Sequence, residues 1–416
     1  LEGLGDIRAL ERFAQNARER QVPVVALKIG RSEKAQAATI THTASLAGHA
    51  ATSSALLRRL GFIEVSSIGV FLETLKIMDM FGPLPGNAIC SVSCSGGEAS
   101  LMADMAENTN IHYRDFSPER AAALKQELGP IVTIANPLDY HTFIWGDTER
   151  MTRVFSTVME QTFDLTVFIL DLPRADRCDP SSYQCAVDAI IAAKARTGAR
   201  VAVLASLSEN MSEGFTSAFM KGGVAVLHGM AEGILAIEAA IAAGRLVESD
   251  PQPLLLAFPN GRTATILSEA ASKEALSGFG LRIPRSIQAQ SINELIGESA
   301  ALSFPVVLKG TGLAHKSEAG LVALDIEDEP SLSAAARKMQ TVTSEFLVEE
   351  MAVGGLAEVL VGITRDPTGA FLLTLGAGGV LTEILGDTVN LLLPASRSGI
   401  MLAFAELRIG RLLEGY

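Results

Sequence analysis

Charge is scarce in this sequence, and basic charge scarcest: 19% of its 416 residues are Asp, Glu, Lys or Arg, 34 of them basic against 47 acidic, for a net charge of −13. That balance excludes a broad nucleic-acid surface, which needs clustered Lys and Arg, and leaves room only for a local basic site. Aromatic residues are few, at 5% with a single tryptophan. Cores must therefore be built from Ala, Gly, Val, Ile and Leu, a mixture suited to α/β layers whose buried parallel strands read as aliphatic runs. Four cysteines make no disulfide framework. Cys90 and Cys94 fall on or beside a strand, and Cys178 and Cys185 are spaced unlike any zinc knuckle, so incidental or buried thiols are expected. No apolar run free of charges or Gly/Pro breaks reaches membrane-spanning length, and no signal peptide opens the chain. A cytoplasmic protein with no membrane partner is the expectation. A Walker A loop, a dinucleotide-binding glycine fingerprint after a strand, short internal repeats and low-complexity segments are all missing too.

What is present is enough apolar residue, 48%, for two or three domains. Val24–Ile29 reads as a strand, Ser45–Leu60 as a helix closed by Gly61, Phe62–Val65 as a strand, and a second helix runs to about Met80. Gly82-Pro83-Leu84-Pro85-Gly86 is the first linker. Strands at Ala88–Val92, Leu165–Leu172, Arg200–Ala205 and Val224–Leu227 then alternate with helices. Those helices start near Gly97, Pro118, Thr148, Ser181, Met211 and Met230, which argues a doubly wound parallel sheet of flavodoxin type. Asp250-Pro251-Gln252-Pro253 is the second linker. Beyond it, strands at Val306–Leu308, Leu321–Ile326, Phe346–Glu350, Glu358–Thr364 and Ala370–Leu375 outnumber helices, and an α+β domain with antiparallel sheet is expected. Ile400–Leu413 has a helical pattern. Leu1 without a Met, and the stop at Tyr416 straight after that pattern, read as cuts inside domains.

Several segments combine chemistry-bearing residues with strand ends. His42 lies among Thr41, Thr43 and Ser45, in a polar loop that follows a strand and opens a helix. The free N–H groups of a helix start hold anions, and a neutral imidazole beside an anion is a phosphoryl acceptor; the competing reading is a capping loop with a surface histidine. Ser95-Gly96-Gly97-Glu98 sits at the C-terminal end of a strand, the usual ligand edge of an open α/β sheet, although a plain tight turn has the same composition. Asn136-Pro137-Leu138-Asp139-Tyr140 and the stretch to Trp145 form a polar and aromatic loop that either lines a substrate pocket or packs on the surface. Lys309 ends the aliphatic strand Pro305–Leu308, placed to hold phosphate as a point charge. Gly310, Gly312 and Gly320 flank His315, giving that loop freedom to swing. Glu349, Glu350 and Met351 run from a strand into a hinge whose backbone suits adenine.

Taken in order, these segments resemble the acyl-CoA synthetases that form ADP, relatives of succinyl-CoA synthetase. The carriers are Leu1-Glu2-Gly3, Gly30–Gly48 with Thr41-His42-Thr43, Ser95–Glu98, Asn136–Asp139, and Pro305–Lys309 with His315-Lys316-Ser317. Arg365-Asp366-Pro367 and Gly376-Ala377-Gly378-Gly379 with Glu383 and Asp387 complete the series. The resemblance implies a layout of flavodoxin-like ligase domains over 1–81 and 82–250, then an ATP-grasp domain, incomplete, over 251–416. It also implies a CoA-binding domain and acidic metal ligands outside this stretch. Residue by residue, His42 matches the transiently phosphorylated histidine, Glu2 the carboxylate that orients it, and His315 a second histidine relaying phosphate. Lys309 matches the ATP-phosphate lysine, Glu349 to Met351 the adenine hinge, and Glu358 a residue facing ribose or phosphate. Where relatives carry glycine after the His-Thr pair, this chain has Ala44.

The implied reaction is acyl-CoA + ADP + phosphate ⇌ carboxylic acid + CoA + ATP, through an acyl phosphate and a phosphohistidine, with Mg²⁺ beside the nucleotide and a homo-oligomeric assembly. Two rival readings accompany it: a related ligase for an unusual acid of hydroxycinnamate type, with or without a lyase step, and a non-catalytic module that senses CoA or nucleotide. The joint presence of His42, Glu2, His315 and Lys309 favours the enzyme.

Overall fold

The computed structural model describes residues 1–30, 32, 34–35, 50–246, 253–257, 265–311, 321–379, 382–413 and 415. They fall into two compact units, one comprising Leu1–Ala257, Val361–Leu375 and Thr388–Glu406, the other Phe258–Leu360, Gly376–Asp387 and Leu407–Tyr416.

The first unit opens with helix α1 (Ile7–Glu19), absent from the expected elements, whose first turn is fixed by Asp6 accepting the N–H groups of Arg8 and Ala9. Strand β1 (Val24–Leu27) runs parallel to β2 (Phe62–Val65), Val24 opposite Phe62. Helix α2 (Ala50–Arg59) leads into β2, and α3 (Ile68–Phe81), capped by Ser67, follows it.

Next come β3 (Ala88–Ser93), α4 (Gly96–Ala106), the two-residue strand β4 (His112–Tyr113), α5 (Pro118–Leu128) and the two-residue β5 (Leu138–Asp139). Then α6 (Thr148–Met159), β6 (Leu165–Ile169), α7 (Gln184–Thr197), β7 (Val201–Ala205), α8 (Glu213–Lys221), β8 (Ala225–His228) and α9 (Met230–Leu246) alternate. The strands form one sheet in the order β4-β3-β6-β7-β8, with β5 beside the end of β3 and every pairing parallel. Numbered within this sheet that is the 2-1-3-4-5 order of the flavodoxin type, as expected. The period of two divides each strand between two cores. Leu165, Val167, Ile169, Ala202 and Leu204 face Ile77, Met102, Ile234 and Ile237, whereas Phe168, Val201 and Val203 face Leu124, Phe155, Ile190 and Phe219. The helical pattern expected from Ser181 begins as a 3₁₀ turn, Ser181–Tyr183, before α7.

Two later segments belong to this unit. They carry most of a three-stranded sheet in the order β13 (Val359–Arg365), β14 (Phe371–Ala377), β15 (Thr388–Leu392), and the helix Arg397–Ala405. Ala370, Leu372 and Leu392 share a core with Leu4, Ile7, Leu56, Leu57, Phe62 and Leu254. Backbone bonds from Leu255 to Leu393 and from Ala257 to Gly369 add to it.

The second unit is built on an antiparallel sheet, β11 (Val322–Ile326), β10 (Val306–Gly310), β12 (Phe346–Glu350) and β9 (Ser286–Ala289), in that order. Helices Ile292–Ser299 and Glu329–Met339 bury Leu295, Leu332 and Ala336 against it. Helix Glu269–Ser277, capped by Ser268, buries none of its nine residues. The pattern expected as one helix over Ile400–Leu413 is two, Arg397–Ala405 and Arg408–Leu413; the Asp387 carboxylate accepts the N–H groups of Arg408 and Ile409 and so starts the second. No described helix is long and apolar enough to cross a membrane.

Candidate functional site

Three places carry the residues singled out by sequence. The first is the C-terminal edge of β1. Leu1 is stitched there, its nitrogen donating to the Leu27 carbonyl at 2.7 Å and its carbonyl accepting the Ile29 N–H at 3.0 Å. Lys28, only 4% exposed, donates its Nζ to the Glu2 carbonyl at 2.9 Å and to the Ile29 carbonyl at 2.5 Å. Glu2 thereby sits at the strand end from which the 30–49 stretch departs. His42 and Ala44 lie outside the described residues, so the expected Glu2–His42 contact is not described. Lys28 escaped the sequence reading; a lysine closing an aliphatic strand was its only signal.

The second place is the carboxyl end of β3 and β6. Strand order reverses across β3, and in such sheets the crevice outside the strand ends is where ligands enter. Ser95, Gly96, Gly97 and Glu98 open α4 at that point, with the Ser95 hydroxyl making no capping bond. Gly96 lets Asp139 come close: a Cβ there would lie 3.2 Å from Asp139 Oδ2, and the carboxylate would have to shift. Glu98, Asp139 and Asp171 share this edge electrostatically. Burial first, then the charges of Asp171 and Asp139, push the Glu98 carboxyl up to about 7. Its Oε2 is buried and meets no hydrogen-bond partner among the described residues. Asp171 instead accepts the Ser206 N–H at 2.8 Å and the Ser206 hydroxyl. Neither Asp171 nor Ser206 was singled out from sequence, although Asp171 lies just past the C-terminal end of the aliphatic strand β6.

Asn136 and Trp145 prove to have structural ties. The Asn136 amide donates to the carbonyls of Ile89 at 2.8 Å and Arg114 at 2.9 Å, and its Oδ1 accepts the Ser91 N–H at 3.1 Å, stapling its loop to β3. Trp145 donates its indole N–H to the Ser182 carbonyl at 3.1 Å and meets the Tyr183 ring edge-on, centroids 5.3 Å apart. Closer to the sheet edge, His141 stacks on the exposed Phe143 ring at 5.3 Å and 12°.

The third place, in the second unit, brings Lys309 and Glu349 together. Antiparallel pairing sets Val307 opposite Glu349 and Lys309 opposite Leu347. Lys309 Nζ donates to Glu349 Oε2 at 2.7 Å and to Glu269 Oε1 at 2.5 Å. Lys273 Nζ lies 2.6 Å from both Glu349 oxygens and 2.9 Å from Glu269 Oε1. Burial opposes each charge, yet hydrogen bonds outweigh it. Those from Lys309 and Lys273 hold the Glu269 carboxyl at about 2, and those from Glu269 and Glu349 raise the Lys309 ammonium above its usual value. Glu269 and Lys273 were missed by sequence reading, although their i,i+4 spacing after the Ser268 cap was a usable sign.

In the expected adenine hinge, the Glu350 N–H goes to the Arg285 carbonyl and the Met351 N–H to the Pro305 carbonyl, while the Glu350 carboxylate accepts the Ser303 N–H at 2.9 Å. Gly310 is not a swinging hinge. It closes β10, donates to the Leu321 carbonyl, and any Cβ would lie 2.8 Å from Thr343 Cγ2, so packing is what requires glycine there. His315, Gly312 and Gly320 lie outside the described residues. Glu358 lines a cavity of about 770 Å³ with Leu356, Gly378, Asp387, Arg408 and Ile409, a volume in the range of small-molecule sites. Its backbone carbonyl accepts the Gly378 N–H at 2.7 Å. Among the described residues no group of three His, Cys, Asp or Glu is arranged to hold a metal ion.

Residues 260–416 match the family model described as an ATP-grasp domain, and residues 1–78 that of a succinyl-CoA ligase like flavodoxin domain. Over its whole length the chain is 25% identical to a trans-feruloyl-CoA synthase from an unknown prokaryotic organism, covering 60% of that protein. It is likewise 25% identical over its whole length to the ADP-forming 4-hydroxybutyrate–CoA ligase of Nitrosopumilus maritimus, covering 62% of it. The chain thus spans about three fifths of the length of these curated relatives. Among solved structures, the dinucleotide-forming acetyl-coenzyme A synthetase 1 of Candidatus Korarchaeum cryptofilum, in complex with phosphate and ADP, shares the fold. Its TM-score is 0.50 at 20% identity, over 59% of this chain and 52% of that one.

Proposed function

We propose that this chain is part of an ADP-forming acyl-CoA synthetase and takes part in the reversible conversion of carboxylic acid + CoA + ATP into acyl-CoA + ADP + phosphate. In the forward direction a histidine nitrogen attacks the γ-phosphorus of ATP and ADP leaves. A carboxylate oxygen then takes the phosphoryl group to give an acyl phosphate, and the CoA thiolate attacks the acyl carbon and expels phosphate. His42 is the acceptor histidine and Glu2 the carboxylate that orients it, with His315 relaying phosphate from the nucleotide. Lys309 neutralises nucleotide phosphate, the Glu349–Met351 hinge takes adenine, and Glu358 faces ribose or phosphate. Each transfer exchanges groups between donors of similar energy, so positioning and charge neutralisation are the protein's task. The Ser95–Glu98 turn, at the strand-order reversal, is the phosphate and substrate loop.

The observation that carries this reading is the pairing, on one polypeptide, of a match to a succinyl-CoA ligase like flavodoxin domain with a match to an ATP-grasp domain, in a chain whose whole length aligns with about three fifths of proteins named as CoA ligases and CoA synthases. Mg²⁺ would accompany the nucleotide and neutralise phosphate charge there; Glu358 and Asp387, the carboxylates lining the 770 Å³ cavity, are the residues that would hold it. A cytoplasmic homo-oligomer completes the proposal. Full-length protein incubated with CoA, ATP, Mg²⁺ and a panel of acids, including acetate, 4-hydroxybutyrate and ferulate, should yield one or more thioesters and an acid-labile phosphoprotein. Absence of both products across the panel overturns the reading.

A further inference from the structure

The ammonium group assigned to nucleotide phosphate is already occupied. Lys309, Glu269, Lys273 and Glu349 form an alternating ring of two cations and two anions, with contacts of 2.5, 2.9, 2.6 and 2.7 Å taken in turn. The two carboxylates are unequal. The Glu349 side chain, on β12 in the middle of its sheet, is 4% exposed, whereas that of Glu269 is 30% exposed. Separating Glu349 from both lysines would strand a buried anion, a strongly unfavourable event. Glu269 stands in the first turn of a nine-residue helix that buries none of its residues. A change of rotamer there costs little packing, and the helix N-terminus continues to stabilise the carboxylate after it turns away.

Charge points the same way. With all four groups in place the ring is neutral. With Glu269 withdrawn it carries one net positive charge, and Lys309 has an N–H without its carboxylate. We propose that Glu269 is a displaceable counter-anion: nucleotide phosphate takes its place on Lys309, while Lys273 keeps Glu349 paired. Lys273 is the positioning residue of the set. Its ammonium reaches both oxygens of Glu349, which stops that carboxylate from claiming Lys309 fully and keeps the helix tethered as Glu269 leaves. The inference rests on the reading of Lys309 as the phosphate-binding lysine.

The test is calorimetric titration of the full-length protein with Mg·ADP, alongside thermal unfolding without nucleotide. Glu269→Gln removes the competing charge but keeps the side-chain volume. Affinity for Mg·ADP should tighten about three- to tenfold, the equivalent of one partly screened ionic contact, while the unfolding temperature falls. A merely structural Glu269 would instead lower affinity and stability together, and unchanged or weaker ADP binding in Glu269→Gln overturns the proposal. Lys273→Met should weaken ADP binding, because Glu349 then engages Lys309 alone; an unchanged affinity also counts against the scheme. Lys309→Met separates the two levels. If it still binds Mg·ADP normally, the nucleotide reading itself fails; if it loses binding while Glu269→Gln gains none, only the displacement is wrong.

Discussion

His228 ends β8 and is held by α3, and this contact makes the first unit sensitive to acid in a way that can be measured. Lys76 Nζ lies 2.8 Å from His228 Nδ1, and the His228 backbone N–H donates to Glu73 Oε2 at 3.0 Å. Glu73 also takes Lys76 at 2.7 Å. An ammonium has only protons to offer, so Nδ1 must present a lone pair and the ring is neutral with its proton on Nε2. Burial first, then Lys76, lower the His228 pKa from its ordinary 6.5, with Glu73 opposing. The sign follows by linkage. Below pH 6.5 the unfolded chain binds a proton that the folded chain refuses, so the stabilisation is complete above that value and is lost as pH falls through the folded pKa. The slope cannot exceed about 1.4 kcal/mol per pH unit for one proton. Because the ring is half exposed, solvent screening holds the total to roughly 1 kcal/mol or less. His228→Asn supplies an oxygen acceptor for Lys76 without a titrating group. Thermal unfolding and hydrogen exchange at the residue 228 amide, compared between the two proteins from about pH 7.5 to about pH 5, should diverge only at the acid end. An identical acid-end loss in the Asn variant would refute the assignment.

Four further outcomes are expected from the structure and the proposal. His42→Ala should abolish acid-labile labelling from γ-labelled ATP without unfolding the protein, and Glu2→Gln should slow that labelling by about ten- to a hundredfold, as loss of an orienting partner does; full labelling in the first variant rules out His42 as the acceptor. Glu98, raised from an ordinary 4.5 to about 7, keeps in the folded state a proton that the unfolded chain has released. Stability should therefore decline as pH climbs through that window, and Glu98→Gln should flatten the decline; an unchanged slope in calorimetry excludes it. Leu57, fully buried in the core that α2 shares with Leu372 and Leu392, should cost about 2–5 kcal/mol when cut to Ala, and a loss below about 1 kcal/mol in denaturant unfolding would mean that this core is not closed.

The sequence alone determined the elements whose signal is local. Aliphatic runs of four to six residues, ended by glycine or polar turns and separated by helical periodicity, specified β3, β6, β7 and β8 and with them the doubly wound sheet, because a buried parallel strand needs apolar residues on both faces. The order of its short motifs carried the family resemblance. Two-residue strands such as β4 and β5 have no periodicity to read, whereas α1 carried a usable signal, an Asp6 cap followed by Ile7, Leu10, Ala14 and Ala17 at helical spacing. Which segments share a core was decided in three dimensions. Ala370, Leu372 and Leu392 look like any strand residues until they meet Leu4 and Leu57, more than three hundred positions away. The ion ring in the second unit arose likewise. Lys309 was legible as a cation at a strand end, but its counter-charges come from a helix forty residues earlier and a strand forty residues later. Electrostatic pairing depends on distances of a few ångströms in space, and sequence separation says nothing about those until the sheet register sets Lys309 beside Glu349.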